Sequence, residues 1–151
     1  MFQGMIRAAP ASALALALSA CATSPEGPVG FVEASYDAEL NGAAVVGAGD
    51  PDGSAVAQIT VTRNADAVCY NIRSIRGIDE ATGARIYRGY EGQEGPVVAQ
   101  LPRGGESGWN GCINSTELAK DLLRPDPPGF YIQIQTVEYP GGALRGQLRY
   151  D

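Results

Sequence analysis

Glutamine and arginine side chains recur at every second position near the C-terminal end of the chain. Gln133 and Gln135 alternate with apolar residues in one segment, and Arg145 and Gln147 alternate with them in the next. Because side chains two residues apart on a β-strand share a face, each pair points to one side. Guanidinium and amide groups donate hydrogen bonds to anionic or polar groups, so these residues are candidates for a recognition surface.

Two features of the composition exclude other functions. The chain contains no histidine, and both Ser-His-Asp and Cys-His catalysis need an imidazole base. Most zinc and copper sites also use imidazole ligands, so we predict no metal site, no cofactor and no enzymatic activity. The formal net charge is −6, whereas a nucleic-acid-binding protein normally needs a basic face. We therefore expect no nucleic-acid partner.

The first 20 residues have the organisation of an export signal. Arg7 precedes a run of Ala, Leu and Ser residues that is too short to span a bilayer. The run ends in LSAC at residues 18–21, which resembles the lipobox of bacterial lipoproteins, where the cysteine thiol carries diacylglycerol. We predict a signal peptide over residues 1–20, lipid on Cys21 and a tether over residues 21–30. An ordinary secreted protein with an incidental Cys21 is the alternative.

This resemblance implies an extracytoplasmic protein that contacts the membrane through its lipid anchor. Three acyl chains on one cysteine hold a protein at a bilayer tightly, because each buried methylene contributes about 0.8 kcal/mol. The residue after the lipidated cysteine is Ala22, where the lipoprotein pattern places Asp for retention in the inner membrane. Ala22 therefore favours the outer membrane, in a cell that has one.

The two remaining cysteines are Cys69 and Cys112. Cysteines in an exported domain usually pair, because the compartment is oxidising, so we predict a Cys69–Cys112 disulfide. Two buried free thiols or a redox site are the alternatives, and the lack of a Cys-x-x-Cys motif disfavours the redox site.

Most of the segments that carry these side chains are predicted to be β-strands. Residues 31–40, 56–63, 67–75, 84–87, 130–136 and 144–150 alternate, and an apolar strand follows a turn in residues 92–101. Residues 114–123 form the helix candidate, with Asn114 as its cap and Glu117 three residues later. We predict one domain over residues 31–151, an all-β, Ig-like antiparallel β-sandwich with one short helix.

The Pro-Gly-Gly turn at residues 140–142 predicts an antiparallel hairpin between the last two strands. In that register Gln133, Gln135, Arg145 and Gln147 share one polar face, which Arg85 and Tyr87 also join. One interpretation is a recognition face for an anionic or polar group on a partner. The other is an ordinary solvated side of the sandwich, with Arg145 paired to a nearby acid.

Two segments resemble the CHRD (chordin-type) domain pattern. ARIYRG at residues 84–89, followed by GPVV at 95–98, is similar to A-H-I-H-x-G and G-P-V-V. YIQIQT at residues 131–136, followed by PGGALRGQL at 140–148, is similar to Y-V-N-V-H-T and P-G-G-E-I-R-G-Q-L. The resemblance covers nearly all of residues 31–151 and implies a β-sandwich. Cys69 and Cys112 fall where many bacterial members have a cysteine pair.

The chain departs from this pattern at each histidine. Arg85, Tyr87 and Gln135 stand in place of the three histidines, and Gln133 stands in place of the asparagine. If those histidines bind metal in relatives, this chain has lost the ligands. The resemblance then implies a non-catalytic binding or structural role in the cell envelope, with a protein or polymer partner. The alternative is a metal-dependent or redox enzyme descended from a histidine-bearing relative.

Overall fold

The computed structural model of the protein describes residues 32–104 and 108–151, with side chains from Ala34 onward. The predicted signal peptide, Cys21 and the tether lie outside these residues. Within the described residues, the elements are β1 (Val32–Asn41), β2 (Ser54–Thr62), β3 (Ala67–Arg76), β4 (Ala81–Arg88), β5 (Val97–Leu101), β6 (Trp109–Asn114), α1 (Thr116–Leu122), β7 (Phe130–Thr136), β8 (Leu144–Gln147) and β9 (Arg149–Tyr150).

The strands form one antiparallel sheet in the order β5-β4-β7-β8-β1-β2-β3-β6, and β9 pairs with β1 beside β8. The sheet curls until its two outermost strands, β5 and β6, come into contact, so that it nearly closes into a barrel. The predicted class, an all-β antiparallel sandwich-like fold with one short helix, is confirmed for the described part of the chain.

The core is formed by apolar side chains at every second position of the strands. In β2 the side chains of Ala55, Ala57, Ile59 and Val61 are buried between less buried neighbours, as period-2 patterning requires. Helix α1 packs Leu118 and Leu122 into the same core. No helix in residues 32–104 or 108–151 has the length and apolar character needed to cross a bilayer.

A buried tyrosine ties α1 to the first strand. The hydroxyl of Tyr36 donates a hydrogen bond of 2.5 Å to the carbonyl of Leu122, at the C-terminal end of the helix. Burial, with a smaller contribution from Tyr150, raises the pKa of Tyr36 above its ordinary value. The hydroxyl therefore keeps its proton, and its ability to donate this bond, at neutral pH.

The observed elements differ from the sequence prediction in three places. The last predicted strand is broken at Leu148 into β8 and β9, because Leu148 donates its N–H to Phe130 while Arg149 and Tyr150 pair with β1. The sequence does not predict β6, because its six residues, WNGCIN, contain only two large apolar side chains, those of Trp109 and Ile113. The prediction of Asn114 as the helix cap is wrong, because α1 begins after Ser115, whose side chain makes no capping hydrogen bond.

The predicted disulfide is confirmed. Cys69 on β3 lies directly opposite Cys112 on β6 in the antiparallel ladder, and their sulfur atoms are bonded. The bond joins strand β6, at one edge of the sheet, covalently to its neighbour. It thereby fixes the edge that approaches β5.

Replacing both cysteines, Cys69→Ser with Cys112→Ser, should lower the free energy of unfolding by about 4 kcal/mol. The disulfide spans 43 residues, and the chain-entropy model assigns about that stabilisation to a loop of this length. Urea unfolding followed by circular dichroism measures the change. Wild-type protein unfolded in reductant serves as the control and should match the double variant. An unchanged unfolding midpoint in the double variant would contradict the claim that the disulfide stabilises the domain.

Candidate functional site

The six candidate residues lie on one face of the sheet, the face opposite the core. Gln133 on β7 stands opposite Arg85 of β4 on one side and opposite Arg145 of β8 on the other. Tyr87, Gln135 and Gln147 occupy alternate positions on the same three strands. The predicted hairpin register and the shared face are therefore confirmed.

This face is covered rather than open to solvent. Gln133, Gln135 and Arg145 are only 7%, 3% and 2% exposed, whereas Arg85, Tyr87 and Gln147 are partly exposed. Neither interpretation of the sequence anticipates this burial. The face is enclosed by the β4–β5 loop, residues 89–96, and by the turn between β7 and β8.

Three hydrogen bonds hold the β4–β5 loop against the face. Arg145 Nη2 donates to the carbonyl of Tyr90 at 2.8 Å, and Gln147 Nε2 donates to the carbonyl of Gly89 at 3.0 Å. In the other direction, the N–H of Gly95 donates to the hydroxyl of Tyr131 at 3.2 Å. The loop is thus bonded near both of its ends to side chains of β7 and β8.

A stack of three planar groups lies under this loop. The rings of Tyr87 and Tyr131 are parallel within 4°, with centroids 5.0 Å apart. The Cζ atom of Arg145 lies 3.5 Å from the centroid of the Tyr131 ring. Since β4 and β8 flank β7 on opposite sides, Tyr87 and Arg145 contact opposite faces of that ring.

The charge of Arg145 is stabilised by this ring. Among the described residues, no carboxylate lies within 4 Å of its guanidinium. A desolvated guanidinium on an aromatic face gains about 2 kcal/mol from the ring quadrupole, and the Tyr90 carbonyl adds a charge-assisted hydrogen bond. The suggestion that Arg145 pairs with a nearby acid is not borne out within this part of the chain.

The glutamines of the face act as donors to the protein itself. Gln133 Nε2 donates to the carbonyl of Gly141, in the β7–β8 turn. Gln135 Nε2 donates to the hydroxyl of Tyr87 at 3.2 Å, and Gln147 Nε2 also reaches the carbonyl of Phe130 at 2.8 Å. The Oε1 atoms of Gln135 and Gln147 are buried without a hydrogen-bond partner in the described structure.

The face offers hydrogen-bond donors and the guanidinium groups of Arg85 and Arg145, and none of its six candidate side chains is a carboxylate, a thiol or an imidazole. In residues 32–104 and 108–151, no group of three or more His, Cys, Asp or Glu side chains is placed to hold a metal ion. The donors of this face can bind a polar group or hold the protein's own loops.

The predicted candidate residues omit two contributors to the site. Alternation places Tyr131 on the same side of its strand as Gln133 and Gln135, but it is not one of the six candidates. The β4–β5 loop carries no sequence signal for its position, because a loop of Gly and polar residues does not reveal which face it will cover.

Arg145 and Gln147 also border an open groove of about 390 Å³. The groove lies beside the covered face, where β8 meets β1 and β9. Its other charged residues are Asp37 and Glu39 from β1, Glu91 from the β4–β5 loop and Arg149 from β9.

The fold and this face define an all-β domain with a covered polar face on a nearly closed sheet. Comparison with protein families identifies the class: the CHRD domain model matches residues 36–148, and the chain belongs to the CHRD family. No curated protein and no solved structure matches the chain significantly. The matched region contains the whole candidate face.

Substituting Gly142→Ala should lower the free energy of unfolding by about 2 kcal/mol or more. Gly142 has φ = +139°, and an added Cβ would lie 1.6 Å from Gln133 Nε2. The change therefore strains the backbone and displaces a buried side chain of the face. Thermal or urea unfolding measures it.

Gly141→Ala is the matched control, because its added Cβ would meet nothing within 4 Å. We expect that variant to stay within about 0.5 kcal/mol of wild type. Equal stability of the two variants would mean that Gln133 does not occupy the position described.

Proposed function

We propose that this protein is a lipid-anchored component of the bacterial cell envelope. Its CHRD domain has a non-catalytic role, binding an envelope partner or supporting envelope structure. The anchor is Cys21, at the end of the LSAC motif, and the domain lies outside the cytoplasm. Ala22 after the anchor favours the outer membrane.

The disulfide between Cys69 and Cys112 is the observation that carries the proposal. Such bonds persist in oxidising compartments and are rare in the bacterial cytoplasm. A structural disulfide in the domain supports export, and export is what the N-terminal segment predicts. The lipobox resemblance then supports attachment to the membrane rather than release.

The chemistry of the covered face supports a non-catalytic role. Arg145, Gln133 and Gln147 donate hydrogen bonds to main-chain carbonyls of the protein's own loops. A general acid or base must instead reach a reacting group on a bound substrate. These side chains are engaged in stabilising the domain, which leaves the adjoining exposed surface for contacts with a partner.

The anchor is tested by substituting Cys21→Ser in the full chain, expressed in a bacterium with a lipoprotein-processing pathway. Without the thiol no thioether to diacylglycerol forms, so the variant should lack the lipid mass and should keep residues 1–20, because cleavage before residue 21 requires the lipidated cysteine. Immunoblotting of the fractions and mass measurement of the mature protein give the result.

Ser24→Ala, three residues beyond the predicted lipidation site, is the matched control and should remain in the membrane fraction with its lipid mass. If wild-type protein lacked the lipid mass, or if Cys21→Ser were processed to the same mature form as wild type, anchoring through this thiol would be refuted. Stoichiometric copper, zinc or iron in the purified wild-type protein would refute the non-catalytic assignment and favour a metal-dependent or redox enzyme.

A further inference from the structure

We propose that the groove beside the covered face binds a neutral glycan chain of the cell envelope. The groove runs from Asp37 and Glu39, past Gln147, to the exposed rings of Tyr90 and Tyr150. This inference rests on the extracytoplasmic binding role proposed above, and it names the chemical class of the partner.

The groove consists of two adjoining cavities. The first, of about 390 Å³, lies against β1 and β8, and the second, of about 430 Å³, continues toward β9 and the start of β7. Both are lined by Glu91, Gln147 and Arg149, so the two cavities adjoin at these three side chains. Each has the size of an ordinary ligand pocket, roughly 300–1,000 Å³, and together they suit a chain of linked units.

Two exposed aromatic rings line the second cavity. Tyr90 is 60% exposed and Tyr150 is 69% exposed. The ring of Tyr150 is held by an edge-on contact with buried Tyr36, with centroids 5.4 Å apart at an angle of 84°. Because Tyr36 is itself fixed by its hydrogen bond to Leu122, the Tyr150 ring is an oriented surface. A ring of this kind packs well against the C–H face of a sugar.

Polar groups that match sugar hydroxyls lie beside these rings. Arg149 Nη2 and Glu91 Oε2 are 3.3 Å apart, and both side chains are about three-quarters exposed. They present a donor and an acceptor side by side, and a hydroxyl group can satisfy both at once. Exposed pairs of this kind contribute little to stability, so a ligand can reorganise this one at small cost.

The charge of the groove selects against anionic ligands. Asp37, Glu39 and Glu91 line the first cavity against Arg145 and Arg149, so its acidic side chains outnumber its basic ones, and the whole chain carries a net charge of −6. Arg145 is only 2% exposed and lies against the Tyr131 ring and the Tyr90 carbonyl, which leaves Arg149 as the exposed cation of the groove. A uronic-acid chain would place like charges together, which opposes binding, whereas a neutral hexose chain would not.

The test is calorimetric titration of the purified, detergent-solubilised protein with three hexasaccharides: cellohexaose and chitohexaose, which are neutral, and hexagalacturonate, which is anionic. We expect at least one neutral hexasaccharide to bind and hexagalacturonate to bind at least tenfold more weakly. Tyr150→Ala should weaken binding about tenfold through loss of the stacking surface. Tyr150→Phe, which keeps the ring, should restore it.

Val137→Ala is the control variant, because Val137 is 83% exposed at the far end of β7 from Tyr90 and Tyr150. It should bind as wild type does. Urea unfolding of each variant establishes that the domain remains folded.

Failure of both neutral hexasaccharides to bind, or wild-type affinity in Tyr150→Ala, would overturn the proposal. The proposal would also be overturned if the Cys21→Ser chain bound phosphatidylethanolamine vesicles and the added substitution Tyr150→Ala abolished that binding. The tyrosine rings would then contact the membrane surface rather than a glycan. The titration does not require the anchor. If the wild-type protein bound a glycan but was not found in the membrane fraction, the lipid anchor would be refuted. The assignment of the groove as a glycan-binding site would still hold.

Discussion

The positive charge of Arg145 is held inside the protein by an aromatic ring. Removing a guanidinium from water costs several kcal/mol, and no carboxylate in the described residues lies close enough to offset that cost. The Tyr131 ring and the Tyr90 carbonyl offset this cost instead. Because the carbonyl belongs to the β4–β5 loop, the same interaction that accommodates the charge also fixes the loop over the sheet.

Two of the positions at which the chain departs from the CHRD pattern lie at this stack. Tyr87 and Gln135, which stand in place of two histidines of that pattern, contact each other through a hydrogen bond of 3.2 Å. Tyr87 also stacks on Tyr131, opposite Arg145. The replacements Tyr87 and Gln135 are therefore mutually consistent, since each finds a partner within the domain. This consistency supports the structural role proposed for the covered face.

Alternation predicted much of this arrangement. The alternation of the last two segments and the Pro-Gly-Gly turn were sufficient to predict a hairpin that places Gln133, Gln135, Arg145 and Gln147 on one face, because side chains two residues apart on a strand share a face. The disulfide followed from cysteine count and compartment. The sequence also marked the six candidate residues of the face correctly as neighbours, since the two-residue period holds wherever a strand is regular.

Other features depended on contacts between distant segments. Burial of the face comes from residues 89–96, whose sequence carries no signal for where the loop folds back. Strand β6 is stabilised by pairing with β3 and by Cys112, so its local sequence did not reveal it. The break at Leu148 arises because β9 pairs with β1 while Leu148 bonds to Phe130. Neither pairing is visible from the alternation of residues 144–150.

A double-mutant cycle on Tyr131 and Arg145 measures the interaction at the centre of this account. The free energies of unfolding of wild type, Tyr131→Leu, Arg145→Met and the double variant are determined by urea unfolding. We expect a favourable coupling energy of about 1–2 kcal/mol, because each single substitution removes the cation–ring contact and Tyr131→Leu leaves a buried charge without it. A coupling energy within about 0.3 kcal/mol of zero would contradict the claim that the ring stabilises the charge.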